Sequence, residues 1–81
     1  RRLYQEVMDR LISMIEEEKL RPGDFLPAER ELSDRYCVGR PAVREALQNM
    51  ACMGLIRLIQ GERARVAAPT FANLLTTMSM T

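Results

Sequence analysis

Four prolines and four glycines punctuate this chain, and where they fall constrains its fold more than any other feature. Pro22-Gly23, Pro27, Gly39 with Pro41, Gly54, Gly61 and Pro69 separate three longer stretches from two short apolar ones. Proline removes a backbone donor and turns the preceding residue away from helix, and glycine permits tight turns. The breakers therefore mark boundaries, and the stretches between them are the candidate elements.

Residues 3–20 place Leu3, Val7, Leu11, Met14 and Ile15 on one stripe at helical spacing, widened by Met8 and Ile12. This predicts an amphipathic first helix, stopped by Arg21-Pro22-Gly23-Asp24, after which Phe25 and Leu26 are expected to drop into the core. Pro27 is tolerated at a first helical turn, and Glu29 and Glu31 complement the positive end of a helix dipole. A second, short helix is thus expected from about Ala28 to Tyr36, with Ala28, Leu32 and Tyr36 inward. Cys37-Val38-Gly39 reads as a compact turn, with Gly39 an acceptable N-cap and Pro41 in the first turn of a third helix.

That third helix, Arg40 to about Met53, carries Val43, Ala46, Leu47 and Met50 as an inward stripe. Arg40, Arg44 and Gln48, four residues apart, stack on the opposite face near its N-terminal end. Two guanidiniums and an amide so placed have the chemistry of a major-groove reader, since Arg pairs with guanine O6/N7 and Gln with adenine. Gly54 ends the helix. Leu55–Ile59 then reads as a strand, Gln60-Gly61-Glu62 as a turn and Arg63–Val66 as an alternating return strand. The hairpin carries Gln60, Gly61, Arg63 and Arg65 at its tip and outer face.

Helix, helix, helix, hairpin, with a short turn between the second and third helices, is the order of a winged helix-turn-helix, mainly α with a small β-hairpin. Charge supports a nucleic-acid partner. Net charge is only +1, but residues 1–34 hold six basic against nine acidic side chains, and residues 35–66 hold six arginines against Glu45 and Glu62. Arg40, Arg44, Arg63 and Arg65 are expected to form one continuous positive edge with acids sparse beside it. The alternative for this architecture is a protein–protein interaction module.

Other chemistry has little to work with. No histidine is present, so Ser13, Ser33 and Ser79 have no imidazole base and the acidic residues of the first two helices read as solvated faces. An enzyme is not expected. Cys37 and Cys52 lack C-x-x-C spacing and read as reduced, buried small hydrophobes, with no metal site or cofactor implied. No run approaches a membrane span and nothing resembles a signal peptide, so a cytoplasmic setting is expected.

The stretches Leu26-Pro-Ala-Glu-Arg-Glu-Leu-Ser33, Val38-Gly-Arg-Pro-Ala-Val-Arg-Glu-Ala-Leu47 and Gly54-Leu-Ile resemble the DNA-binding domain of the GntR family of bacterial transcription regulators, over roughly residues 4–68. The branch typified by the fatty-acid regulator is most similar, and Gly61-Glu-Arg-Ala-Arg-Val66 resembles the corresponding segment of repressors of sialic-acid catabolism. The resemblance implies that Arg40 and Arg44 read or anchor at guanines in the major groove, that Arg30 holds phosphate or base from the second helix, and that Gly61 lets the wing enter the minor groove. Relatives often carry hydroxyl residues at positions 39, 41 and 42. Here Gly39, Pro41 and Ala42 supply none, and Ala42 offers only apolar contact, for example to a thymine methyl. Gln60 stands where a relative has His.

The resemblance implies, too, a regulator that binds double-stranded operator DNA with repeated half-sites and forms a homodimer mainly through a second, helical domain. That domain would bind a small-metabolite effector. Residues 1–68 are accordingly assigned to the winged helix-turn-helix. Residues 69–81, with Phe71, Leu74, Leu75 and Met78 on one side, are read as a linker entering that further domain, the chain being a piece of something longer. No effector or metal residue is assigned.

Overall fold

The computed structural model describes residues 2–67, and the element expected from Phe71 to Met78 lies outside the described residues. Three helices, α1 (Leu3–Glu17), α2 (Glu29–Tyr36) and α3 (Arg40–Cys52), precede a two-stranded antiparallel hairpin of β1 (Ile56–Arg57) and β2 (Arg65–Val66). The architecture is a winged helix-turn-helix. One core joins all of it: Val7 and Leu11 of α1, Leu26, Leu32 of α2, Val43 and Met50 of α3, and Ile56 and Val66 of the hairpin are buried together. The inward stripe read on α3 is complete, since Val43, Ala46, Leu47 and Met50 are all buried.

Each helix stops in the same way. The N–H groups of Leu20, Val38 and Leu55 reach back to the carbonyls of Ile15, Ser33 and Met50, five residues earlier. A residue with left-handed backbone precedes each of these donors: Lys19 (φ 53), Cys37 (φ 54) and Gly54 (φ 79). This is the Schellman ending, which satisfies orphan carbonyls of the last turn. Only Gly54 takes the left-handed conformation without a Cβ penalty. The first helix therefore ends at Glu17, short of the expected residue 20, because Lys19 has already left the helical region.

The turn between α2 and α3 is closed by the Ser33 hydroxyl, which donates to the Val38 carbonyl. Gly39 then serves as the N-cap of α3, in an extended conformation, with Pro41 in the first turn. Pro41 fits there because that N–H has no partner within a helix.

Three expectations are corrected. The hairpin ladder is shorter than Leu55–Ile59 with Arg63–Val66: it pairs Ile56 with Val66 and Arg57 with Arg65. The apolar floor stops there, leaving Leu58 exposed, and the chain instead turns through the bond from the Glu62 N–H to the Ile59 carbonyl. Phe25 does not enter the core. It is 39% exposed, because its segment is laid along the free edge of β2. There the Leu26 N–H donates to Ala64 O at 2.8 Å and the Val66 N–H to Asp24 O at 2.9 Å, so alternation sends Leu26 in and Phe25 out. Cys37 and Cys52 are both exposed rather than buried. Cys37 is the left-handed residue that ends α2, and Cys52 lies off the inward stripe of α3.

The short second helix depends on one side chain. Leu32 is the single buried residue of α2 and is fully covered. Leu32→Ala is expected to cost about 2–5 kcal/mol, the usual range for a leucine truncated in a packed core. Urea denaturation followed by circular dichroism measures this, and a loss under 1 kcal/mol would show that α2 is held some other way.

Candidate nucleic-acid interface

The exposed face of α3 begins with Arg40, Pro41, Arg44 and Gln48, all at the surface, and Ala42 is half-buried beside them. The row expected from four-residue spacing is therefore present. Its electrostatics differ from the sequence expectation. Glu29, the first residue of α2, accepts from Arg40 Nε at 3.0 Å and from Arg44 Nη2 at 2.9 Å on one carboxylate oxygen, and from Arg44 Nε at 3.3 Å on the other. A single carboxylate thus grips two guanidiniums, Arg44 through a two-toothed contact of the kind planar guanidiniums favour.

The edge expected to be sparse in acids therefore contains one more than chain order showed. Counting charges along the chain assigned Glu29 to the acidic half, but the turn between α2 and α3 brings it to residues eleven and fifteen positions later. Its side chain is 24% exposed, against 57% and 55% for the arginines. The bond from Arg44 is the main reason its carboxyl titrates below the ordinary 4.5; partial burial opposes this and Arg40 adds to it.

On the wing, the expected positions divide. Gln60, Gly61 and Arg63 are exposed, and Gly61 makes its turn with φ 81. Arg65 is half-buried and folded back: its guanidinium lies 4.2 Å from the centre of the Phe25 ring and its Nη2 is 3.3 Å from Glu62. Arg63 rests on the same ring at 4.8 Å. Contacts of cations with an aromatic face hold such side chains without consuming their outward donors. Strand register adds Arg57 opposite Arg65, so Arg57, Arg63 and Arg65 share the outer face of the hairpin. Like charges directly opposed are unfavourable, and Phe25 with Glu62 offsets that by drawing Arg65 aside.

The two regions meet in a cleft of about 320 Å³ lined by Pro27, Glu29 and Leu47 on one side and Leu58, Gly61 and Arg63 on the other. Glu29, which holds the α3 arginines, consequently lines the same groove as the wing tip. Arg30 is exposed on α2, the next residue along from Glu29.

Sequence reasoning missed Glu29, Phe25 and Arg57. For Arg57 a signal was available, the alternation of buried Ile56 with its neighbour. Glu29 was assigned to dipole compensation and Phe25 to the core, since neither partnership has a local spacing.

A family model described as bacterial regulatory proteins, gntR family, matches residues 3–66. The chain belongs to the GntR family. Among its GntR relatives, the HTH-type transcriptional repressor NanR of Enterobacter sp. (strain 638) is 43% identical over 70 residues, covering 86% of this chain and 27% of that protein. NanR of Cronobacter sakazakii is 39% identical over 79 residues, covering 98% and 30%. The chain thus spans about 30% of the length of these relatives. AraR(DBD), solved in complex with operator ORX1, superposes with a TM-score of 0.76 at 30% identity, over 83% of this chain and 81% of that one. The possible transcriptional regulator YydK from Bacillus subtilis shares the fold with a TM-score of 0.81 at 24% identity, over 86% and 31%.

The ion pairs at Glu29 have a pH signature. A carboxyl whose pKa is lowered on folding contributes stability that is full above its unfolded value and lost as pH falls through the folded one. Glu29→Gln is expected to lower stability by about 1 kcal/mol or less at neutral pH, the range for largely exposed pairs. The difference from the parent should shrink as pH is taken below 4.5. Urea denaturation of both proteins across that interval measures it, and a constant difference would show that the carboxylate charge is not involved.

Proposed function

We propose that this chain is the sequence-specific DNA-binding part of a bacterial transcription repressor, entering the major groove with α3 and the minor groove with the wing. The observation that carries this reading is the arrangement of Arg40 and Arg44 on the exposed first turns of α3, both bound to Glu29, which lines the same cleft as Gly61 and Arg63. Similarity to AraR(DBD), solved with its operator, and to NanR repressors supports it.

Roles follow from exposure and chemistry. Arg40 and Arg44 pair with guanine O6/N7, and Gln48, one turn further, contacts an adenine edge or phosphate. Ala42 packs on a thymine methyl, while Pro41 lets the start of α3 approach the groove without a side-chain polar contact. Arg30 neutralises phosphate beside α2. Gln60 and Gly61 form the tip that enters the minor groove, where the absence of a side chain at 61 permits close approach, and Arg63 follows the backbone. Arg65, drawn onto Phe25 and Glu62, supports the wing rather than reading a base.

A repressor of this kind acts as a homodimer whose two heads bind repeated half-sites, responding to a small metabolite held by a further domain of the whole protein. The linked pair binds more tightly than one head because the second half-site contact becomes intramolecular.

Selection from a random duplex pool with this chain should recover a common half-site. On that duplex, Arg44→Ala is expected to weaken binding by about 1–3 kcal/mol, the discrimination of one bidentate base contact. Parent affinity should fall steeply with salt, as phosphate contacts require. A gel-shift titration at several salt concentrations measures both. Failure to shift any duplex would point to the protein-interaction alternative.

A further inference from the structure

Glu29 works against the function its neighbours serve. A carboxylate placed among groups that meet a polyanion repels that polyanion, and simple electrostatics would favour a neutral residue there. Yet Glu29 is tied to both recognition arginines by three hydrogen bonds that use its two oxygens. Resting on the DNA-binding reading above, we propose that Glu29 is a positioning residue for base recognition: it fixes which edge of each guanidinium is presented and sets the spacing of the guanines that this face selects.

The geometry of the forks carries the argument. A guanidinium has five N–H donors in one plane, and an arginine offers them along a side edge, Nε with Nη2, or an end edge, Nη1 with Nη2. In Arg44 the side edge is filled by Glu29, through Nε and Nη2. In Arg40 Nε is filled as well. What remains outward on both is the end edge, whose two parallel donors match guanine O6 and N7.

The two forks are also tied to each other. One oxygen of Glu29 accepts from Arg40 Nε and from Arg44 Nη2, so these nitrogens are no more than about 6 Å apart, two hydrogen-bond lengths. Along α3 the residues are separated by one turn, a rise of about 6 Å. Base pairs step by about 3.4 Å. Two guanidiniums whose Glu29-bound nitrogens are held within this distance, on residues one turn apart, suit guanines on nearby base pairs. Free arginines on long flexible stems would instead settle on phosphates and accept many sequences.

Glu29 therefore trades affinity for discrimination, and this separates positioning from a merely structural role. Glu29→Gln removes the repelling charge and weakens the grip. Affinity for an unrelated duplex is expected to rise severalfold at low salt, with the log–log salt dependence steeper by about one phosphate contact. Preference for the selected duplex over the unrelated one should fall by about tenfold, the size of one lost base discrimination. Glu29→Asp keeps the charge but is one methylene too short to reach both arginines. It should lose the preference without gaining affinity for the unrelated duplex.

The experiment selects duplexes from a random pool with the parent chain. Dissociation constants for the parent, Glu29→Gln and Glu29→Asp are then measured on the recovered duplex and on a scrambled one at three salt concentrations. Circular dichroism checks that each variant is folded. Discrimination lost in both variants, with unrelated binding raised only in Glu29→Gln, supports the proposal. Unchanged discrimination, or equal weakening on both duplexes by a folded variant, overturns it while leaving DNA binding intact. A parent chain that prefers no duplex overturns the DNA-binding reading itself, and this proposal with it.

Discussion

An eight-residue helix does not stand alone in water, because helix nucleation costs more than two turns of hydrogen bonds return. α2 is such a helix, and it exists here because Leu32 is sealed in the shared core and the Ser33–Val38 hydrogen bond fixes its exit. The arrangement at the surface depends on that placement. Where α2 begins decides where Glu29 stands, and Glu29 decides how Arg40 and Arg44 are held. The packing of one leucine is thereby linked to the orientation of two arginines on a different helix.

The wing is built by a comparable linkage over a longer range. Its two-residue strands are too short to persist as an isolated ribbon. The segment through Asp24 and Leu26 supplies bonds to the far edge of β2, so β2 is paired on both of its edges. The same alternation that buries Leu26 leaves Phe25 outside as a platform for Arg63 and Arg65. Backbone pairing and the pose of charged side chains thus have one cause.

Much of this was legible in the sequence. Helical periodicity located α1 and the inward stripe of α3, Gly54 marked the end of α3, and four-residue spacing placed Arg40, Arg44 and Gln48 on one face. These are local regularities, set by helix geometry and by residues a few positions apart. What was not legible involves partners far apart in the chain: Glu29 with Arg44, Phe25 with Arg65, Leu26 with Ala64. No period encodes them. The end of α1 was misjudged for another reason, since Lys19 adopts a left-handed backbone that a reader expects of glycine. Summed charge misled as well, because it follows chain order while electrostatics follows space. The acidic half contributes its most consequential carboxylate to the basic face.

On the proposed DNA-binding reading, one surface, formed by the first turns of α3, the start of α2 and the wing tip, meets the duplex. Amide chemical shifts report it residue by residue. Titrating the labelled chain with a duplex recovered by selection should perturb residues 29–30, 39–48 and 60–63 most. The acidic end of α1, Glu16 to Glu18, should be little affected. Perturbations centred on α1, with α3 and the wing silent, would contradict the account.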